Sequence, residues 1–434
     1  MQLSFDQIIA LAPDPSSAKS GKELATVSKW GLRCSSDKAL WGHCQGSGKL
    51  PYQTQVDLQN LAFKCNCPSR KFPCKHGLGL LLLYSREPKA FTLTEEPDWV
   101  SDWLNKRNEK GLTKSEQESK PVDAEAQAKR AGARAKKVAD GMDDLQNWLR
   151  DLIRNGLINL PERAYEYWQN PARRMVDAQA PGMASMLKSL GNINYFQETW
   201  KPEVLSQLAK IYLVSEGYKH IDSLPDELTQ EVRNQLGFTQ SKEELMSQPG
   251  VADTWLVLAR TLEEDDQLTI ERNWLYGLET NRFALVLQFY VNRQVPEFNL
   301  VPGTSMEGEL VFYKGLLSMR ALIRQQVKIG SFATPVGLES LSRTLEYFSE
   351  IIIQNPFYDW VPLMMDNVRL CHSSGLYFLT DPHGDAIRIK TTEAKAIKLL
   401  AVTGGKPFKI FVLTSGETVI PMAAWVGENF IALS

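Results

Sequence analysis

The sequence predicts an α+β protein of several domains. Three observations carry that expectation: a loop rich in cysteine between strand-like and helix-like stretches near the start, a long middle region with helical apolar periodicity, and a last third of short strand-like runs between turn signals. A chain of 434 residues has room for two or three domains, each with its own core. Apolar residues make up 43% and charged residues 23%, the balance of an ordinary globular chain. A net charge of −2 excludes a basic nucleic-acid coat, so contact with nucleic acid has to come from a local patch.

The first domain is placed at 1–104. Leu40–Gln45 and Pro51–Leu58 flank the turn Gly46-Ser47-Gly48-Lys49, and Tyr52, Thr54, Val56 and Leu58 alternate with Gln53, Gln55 and Asp57 as in a half-buried strand. Cys65, Cys67, Cys74 and His76 follow, spaced Cys-x-Cys, six residues, Cys-x-His. Pro68 and Pro73 keep the segment between the two pairs out of regular helix or strand. The apolar run Leu78, Leu80–Leu83, Tyr84 is too short to span a membrane and reads as a buried helix. Cys74 and His76 then stand near a helix start, where backbone N–H groups favour thiolate. The expected local order is hairpin, metal loop, helix.

Three thiolates and one imidazole are the donor set of a closed tetrahedral structural zinc site, which holds a small fold together and activates no water. The alternative is three buried thiols and an unrelated histidine. Half of the six cysteines and one of five histidines fall within these twelve residues, which favours the metal, Zn²⁺. A disulfide is disfavoured because Cys65 and Cys67 are too close to bridge easily and a third thiol would be left over.

These residues resemble the SWIM zinc finger, whose signature is Cys-x-Cys-x(n)-Cys-x-His. The surroundings resemble the bacterial SWIM-finger proteins: Trp41-Gly42-His43-Cys44-Gln45-Gly46-Ser47-Gly48, then Val56-Asp57-Leu58, Cys67-Pro68-Ser69-Arg70-Lys71-Phe72-Pro73-Cys74-Lys75-His76, and Trp99-Val100 with Trp103-Leu104. Ala172–Gly182 and Leu399–Gly405 extend a looser likeness. The resemblance implies a DNA-binding or protein-binding module. It also implies a link to MoxR-type AAA ATPases and von Willebrand type A domain proteins, an association by analogy.

A seam follows at 105–140, which loses large apolar residues and fills with Lys, Glu, Gln, Ser and Ala, as a charged linker or exposed helix does. Lys129, Arg130, Arg134, Lys136 and Lys137 form a basic cluster there. Acidic residues on both sides favour a solvated helix over phosphate contact. The rim of the finger, Lys64, Arg70, Lys71 and Lys75, has two open readings: it touches phosphate or an acidic partner, or it offsets the negative charge of the thiolates.

Residues 141–270 are expected to form a helical domain. Met142, Leu145, Trp148, Leu149, Leu152 and Ile153 recur at helical spacing, and Pro161, Pro171, Pro181, Pro202 and Pro225 punctuate the segments that follow. Arg173, Arg174 and Asp177 are spaced to pair with one another. Residues 271–434 are expected to be α+β. Strands are placed at Phe283–Val291 and Glu309–Tyr313, hairpins at Leu376–Thr380 with Ala386–Lys390 and at Phe408–Leu413 with Thr418–Met422, and helices around 335–354 and 392–402.

Enzyme signatures are missing. Gly46-Ser47-Gly48-Lys49 lacks the earlier glycine and the hydroxyl of a phosphate loop, and no His-Glu-x-x-His, Gly-x-Ser-x-Gly or dinucleotide fingerprint occurs. Cys34, His43 and Cys44 lack paired spacing, so buried thiols and a surface histidine are favoured over a second metal site. Cys371-His372 has no visible partners. The opening residues do not read as a secretory or transit segment, and no apolar run reaches membrane-span length, which predicts a cytoplasmic protein with reduced thiols. The expected function is a non-catalytic protein-interaction adaptor, partnered by an AAA ATPase. The alternative is DNA binding through the finger with Arg70, Lys71, Lys75, Lys129, Arg130, Arg134, Lys136 and Lys137.

Overall fold

The computed structural model describes the chain except residues 1, 2, 4, 47–49, 60, 70, 114–123, 163, 266–267, 292–295 and 331–333. The architecture is α+β, with strands and a metal loop first, helices in the middle and sheets at the end.

The first domain opens with α1 (Phe5–Ala10) and α2 (Pro15–Leu24), the latter started by Asp14, whose carboxylate accepts the Ser17 N–H. β1 (Trp30–Ser35), β2 (Ala39–Cys44), β3 (Tyr52–Asp57), β4 (Ala62–Cys65) and β5 (Thr92–Leu93) form one sheet in the order β4-β3-β2-β1-β5. α3 (Lys75–Arg86) lays Leu78 and Leu80–Leu83 on one face of that sheet, all at most 3% exposed. Each such leucine stabilises by about 1.5–3 kcal/mol relative to exposure. α2 crosses α3 closely because both lack a side chain there: a Cβ on Gly79 would stand 2.7 Å from that of Leu24.

β3 is not half-buried as its alternation suggests. Gln55 and Asp57 are also buried, because α4 (Asp98–Thr113) covers the other face of the sheet with Trp99, Val100 and Leu104. Gln55 donates to the Trp99 carbonyl, and Asp57 pairs with Arg107 at 3.8 Å.

α5 (Ala124–Asn155) runs unbroken across the boundary expected at 140, since Val138 and Met142 both enter the same core. α6 (Ala164–Asp177), α7 (Pro181–Leu190), α8 (Trp200–Lys219) and α9 (Asp226–Leu236) pack around it. The Ala172–Gly182 segment has a physical meaning here. Gln179 takes φ 62°, Ala180 N–H returns to Met175 O, and Pro181 starts α7. Gly182 touches the end of α9, where a Cβ would stand 2.1 Å from Gln235 O. Arg174 pairs with Asp144 of α5 at 2.9 Å rather than with Asp177, because α6 packs beside α5. After α10 (Lys242–Met246) the helices stop. The helical region does not reach 270: β6 (Val251–Asp265) begins there instead, its apolar residues buried on both faces of a sheet rather than on one helical stripe.

β6, β7 (Leu268–Gly277), β8 (Phe283–Val291), β9 (Ser305–Phe312) and β10 (Arg320–Gly330) close a barrel in the ring order β6-β7-β8-β10-β9, with β8 and β10 parallel. Trp255, Val257, Leu275, Val286, Leu310 and Ile323 fill it. After α11 (Leu341–Gln354), the strands β11 (Val361–Ser373), β12 (Leu376–Thr380), β13 (Ala386–Ile389), β14 (Phe408–Thr414), β15 (Thr418–Val426) and β16 (Asn429–Ala432) form a six-stranded sheet, with α12 (Glu393–Thr403) between β13 and β14. β13 also pairs parallel with β15, so five of these strands close a second ring, β11-β12-β13-β15-β14. The outer face of β6–β8 packs on the outer face of β14 and β15 through Trp274, Tyr276, Phe283, Phe411, Met422 and Trp425. Among the described residues no helix is long and apolar enough to cross a membrane.

Candidate metal centre

β4 ends at Cys65, which is paired in register with Thr54 of β3, and the Thr54 hydroxyl lies 3.2 Å from its sulfur. Asn66 stays against β3 for one more residue: its N–H donates to Gln53 O and its side-chain oxygen accepts the Gln53 N–H. The chain then leaves the sheet with Cys67 and runs irregularly to Pro73, through a cis Phe72–Pro73 bond. Lys71 ties this loop to α2 by reaching Asp14 at 2.8 Å and Ser16 at 3.3 Å. Phe72 stands edge-on to Phe63.

Cys74 is the N-cap of α3, so the helix delivers Cys74 and His76 to the point where the sheet delivers Cys65 and Cys67. The Leu78 N–H closes the first turn on Cys74 O at 3.1 Å. His76 is buried under the Tyr52 ring, 4.9 Å between centroids. Gly77 makes this approach possible, since a Cβ there would stand 2.8 Å from the Phe63 ring.

The four donor atoms all lie within 4.8 Å of one another, and Cys65 Sγ is 3.8 Å from His76 Nδ1. Zinc bonds of about 2.3 Å to sulfur and 2.0 Å to nitrogen give tetrahedral edges of about 3.8 Å between sulfurs and 3.6 Å from sulfur to nitrogen. The donors therefore fit a metal ion with little rearrangement. Four protein ligands complete a tetrahedron and leave no position for water, which is the arrangement of a structural site.

Without an ion the thiols share protons unequally. The Cys74 thiol donates to the Cys65 sulfur, which holds Cys65 down to about 4 despite its burial. The same hydrogen bond, with burial added, pushes Cys74 far up, and burial raises Cys67. One sulfur is thus poised as thiolate before metal arrives.

The comparisons with known families agree with this geometry. Residues 52–85 match the family model of the SWIM zinc finger. The chain carries a SWIM zinc finger. Residues 133–236 match a second model, the SWIM-associated four-helix bundle domain, which covers most of α5 and all of α6–α9. No curated protein and no solved structure matched the chain. The Cys₃His cluster of the SWIM finger implies a bound metal.

The other candidate residues scatter. Lys64 and Lys75 are exposed beside the centre, Lys71 is exposed but engaged by Asp14, and Arg70 lies outside the described residues. Lys129, Lys136 and Lys137 are exposed on α5; Arg130 is on the same helix, its side chain outside the description. Arg134 turns inward. Its guanidinium donates to Gln179 O and Gly237 O and stands 3.9 Å from the Phe238 ring centroid, clasping α5 to the far side of the bundle. His43 is half-buried: α4 brings Trp99 against its ring, 6.2 Å between centroids. Cys34 and Cys44 are buried outside the ligand cluster.

Proposed function

We propose that this SWIM-finger protein is a non-catalytic adaptor whose finger, loaded with zinc, holds the N-terminal domain together while the helical bundle docks a protein partner. Zinc suits three thiolates and an imidazole in a closed tetrahedron. The observation that carries the docking reading is a groove between α5 and α8, lined by Leu149, Ile153, Leu205, Leu208, Ala209 and Tyr212. Ile153 is 51% and Leu205 47% exposed, an apolar face a soluble bundle has no need to leave open. Arg150 and Arg154 edge the groove and suit a partner segment with flanking acidic residues. A MoxR-type AAA ATPase is the partner class the SWIM resemblance points to. Size-exclusion co-elution of the two proteins tests the reading. Ile153→Asp with Leu205→Asp should abolish co-elution at unchanged zinc content. Co-elution that survives both substitutions would move the interface elsewhere, and absence of a complex with the wild type would remove this partner.

Exposed Lys64 and Lys75 beside the centre support a second reading, DNA contact through the finger, with the exposed Lys129, Lys136 and Lys137 of α5 as further cations. Lys64→Ala with Lys75→Ala should then lower DNA affinity and flatten its salt dependence.

A further inference from the structure

The two C-terminal barrels share one topology. Numbering the strands within each, both close in the order 1-2-3-5-4, and in both the seam between strands 3 and 5 is the parallel one. That seam is two residue pairs long in each: Arg320 with Leu285 and Ala321 with Val286 in the first, Arg388 with Thr418 and Ile389 with Val419 in the second. The second also carries its helix, α12, between strands 3 and 4. These are the connections of OB-type Greek-key barrels, which bind extended single-stranded ligands on the face of strands 2 and 3.

In the first barrel that face is taken. Trp274, Tyr276, Phe283 and Leu285 of β7 and β8 are packed against the second barrel, with Phe283 stacked on Phe411 at 6.0 Å. In the second barrel the equivalent face, β12 and β13, is turned to solvent. Register places Cys371, Phe378 and Arg388 in one row across β11, β12 and β13, and Arg369, Thr380 and Ala386 in the next. Leu370, Leu379 and Ile387 alternate with them and fill the barrel, so the Phe378 row points outward. Phe378 is half-buried; Arg369 and Arg388 are exposed and have no carboxylate partner among the described residues. Lys390, two residues after Arg388 on the same side, stands 6.0 Å from the centre of the Trp360 ring. Of the acidic residues near this face, Asp366 of β11 is already paired with Lys409 at 3.0 Å, Asp381 in the β12–β13 turn is buried and accepts backbone N–H groups of Leu341, His383 and Asp385, and Asp385 stands exposed at the turn end of β13.

We propose that this face binds single-stranded nucleic acid, with Phe378 and Trp360 as stacking platforms and Arg369, Arg388 and Lys390 along the phosphates. Any base offers a π-face and the cations read only the backbone, so binding is tolerant of sequence and weakens with salt. A duplex keeps its bases stacked inside and cannot use Phe378, so the face discriminates against it. The site is independent of the bundle groove and stands or falls apart from the adaptor reading.

The test is fluorescence anisotropy of the zinc-loaded full-length protein with fluorescein-labelled oligo-dT and with a matched duplex, at low salt and across a salt series. The expected result is tighter binding of the single strand, weakened about tenfold in Phe378→Ala and further in Arg388→Glu, retained in Phe378→Tyr, and unchanged in Lys64→Ala with Lys75→Ala. Thermal melts and zinc content confirm that each variant is folded. Absence of oligo-dT binding at low salt overturns the proposal. So does wild-type affinity in both Phe378→Ala and Arg388→Glu, or a loss confined to the Lys64 and Lys75 variant, which would place the contact at the finger.

Discussion

Loading the finger with zinc at pH 7 should release about two protons per ion rather than three. In the ion-free site the hydrogen bond from Cys74 holds Cys65 down to about 4, so Cys65 is already a thiolate at pH 7 and gives up nothing. Burial raises Cys67, and the proton shared with Cys65, with burial added, raises Cys74, so both arrive as thiols and both must lose a proton to ligate. His76 binds as neutral imidazole. The sign follows: lowering the pH favours the two protonated thiols, and affinity should fall by about a hundredfold per pH unit near neutrality, as a two-proton linkage requires. Calorimetric titration in two buffers of different ionisation enthalpy reads the proton count directly. In an unstructured finger all three thiols have ordinary values of about 8.5 and nearly three protons would leave. A count near three would therefore refute the preformed site, and a count of one or none would mean that fewer than three thiols ligate.

Three substitutions away from the metal test the surrounding structure. Gly182→Ala puts a methyl 2.1 Å from Gln235 O, backbone that cannot swing away; it should destabilise the bundle by about 1–3 kcal/mol or more in urea melts, and a neutral result would contradict the α7–α9 contact. Tyr195→Phe removes the acceptor of the buried Trp168 Nε1–H and the donor to Leu190 O; a cost of about 1–3 kcal/mol is expected, and a cost below about half of one would count against that network. Burial alone would raise the Asp381 carboxyl, but the N–H groups of Leu341, Asp385 and His383 outweigh it and hold it below its ordinary value. That stabilisation is present above the unfolded pKa of about 3.9 and lost as pH falls through the folded one. Asp381→Asn should flatten acid melting of the C-terminal region below pH 4; an unchanged acid profile would remove the assignment.

The metal centre was legible because its information is local. Two close-spaced ligand pairs, two prolines and an apolar helix sit in one short stretch, and the structure needed only to bring the pairs together. The hairpins at 376–389 and 408–426 were legible for the same reason: alternation and a turn with Asp or Gly mark them. β6 was not, because a strand buried on both faces has no alternation and reads like one more apolar helix. Neither barrel could be read, since closure rests on parallel seams of two residue pairs between strands far apart in sequence. The same blindness hid the face around Phe378. Arg369, Phe378 and Arg388 lie on three different strands, and only the register of those strands makes them neighbours. Arg134 misled in the opposite direction, a basic residue in a basic run whose charge is spent on two carbonyls of the bundle.

Metal analysis of the purified chain beside its Cys74→Ser variant tests the central claim most directly. One zinc per chain is expected in the wild type, as a single four-ligand site requires. The variant should lose that zinc and, with it, protection of the first hundred residues from proteolysis, because metal binding and local folding are coupled. Full zinc in Cys74→Ser, or a wild-type chain that folds equally well with no metal at all, would contradict the account.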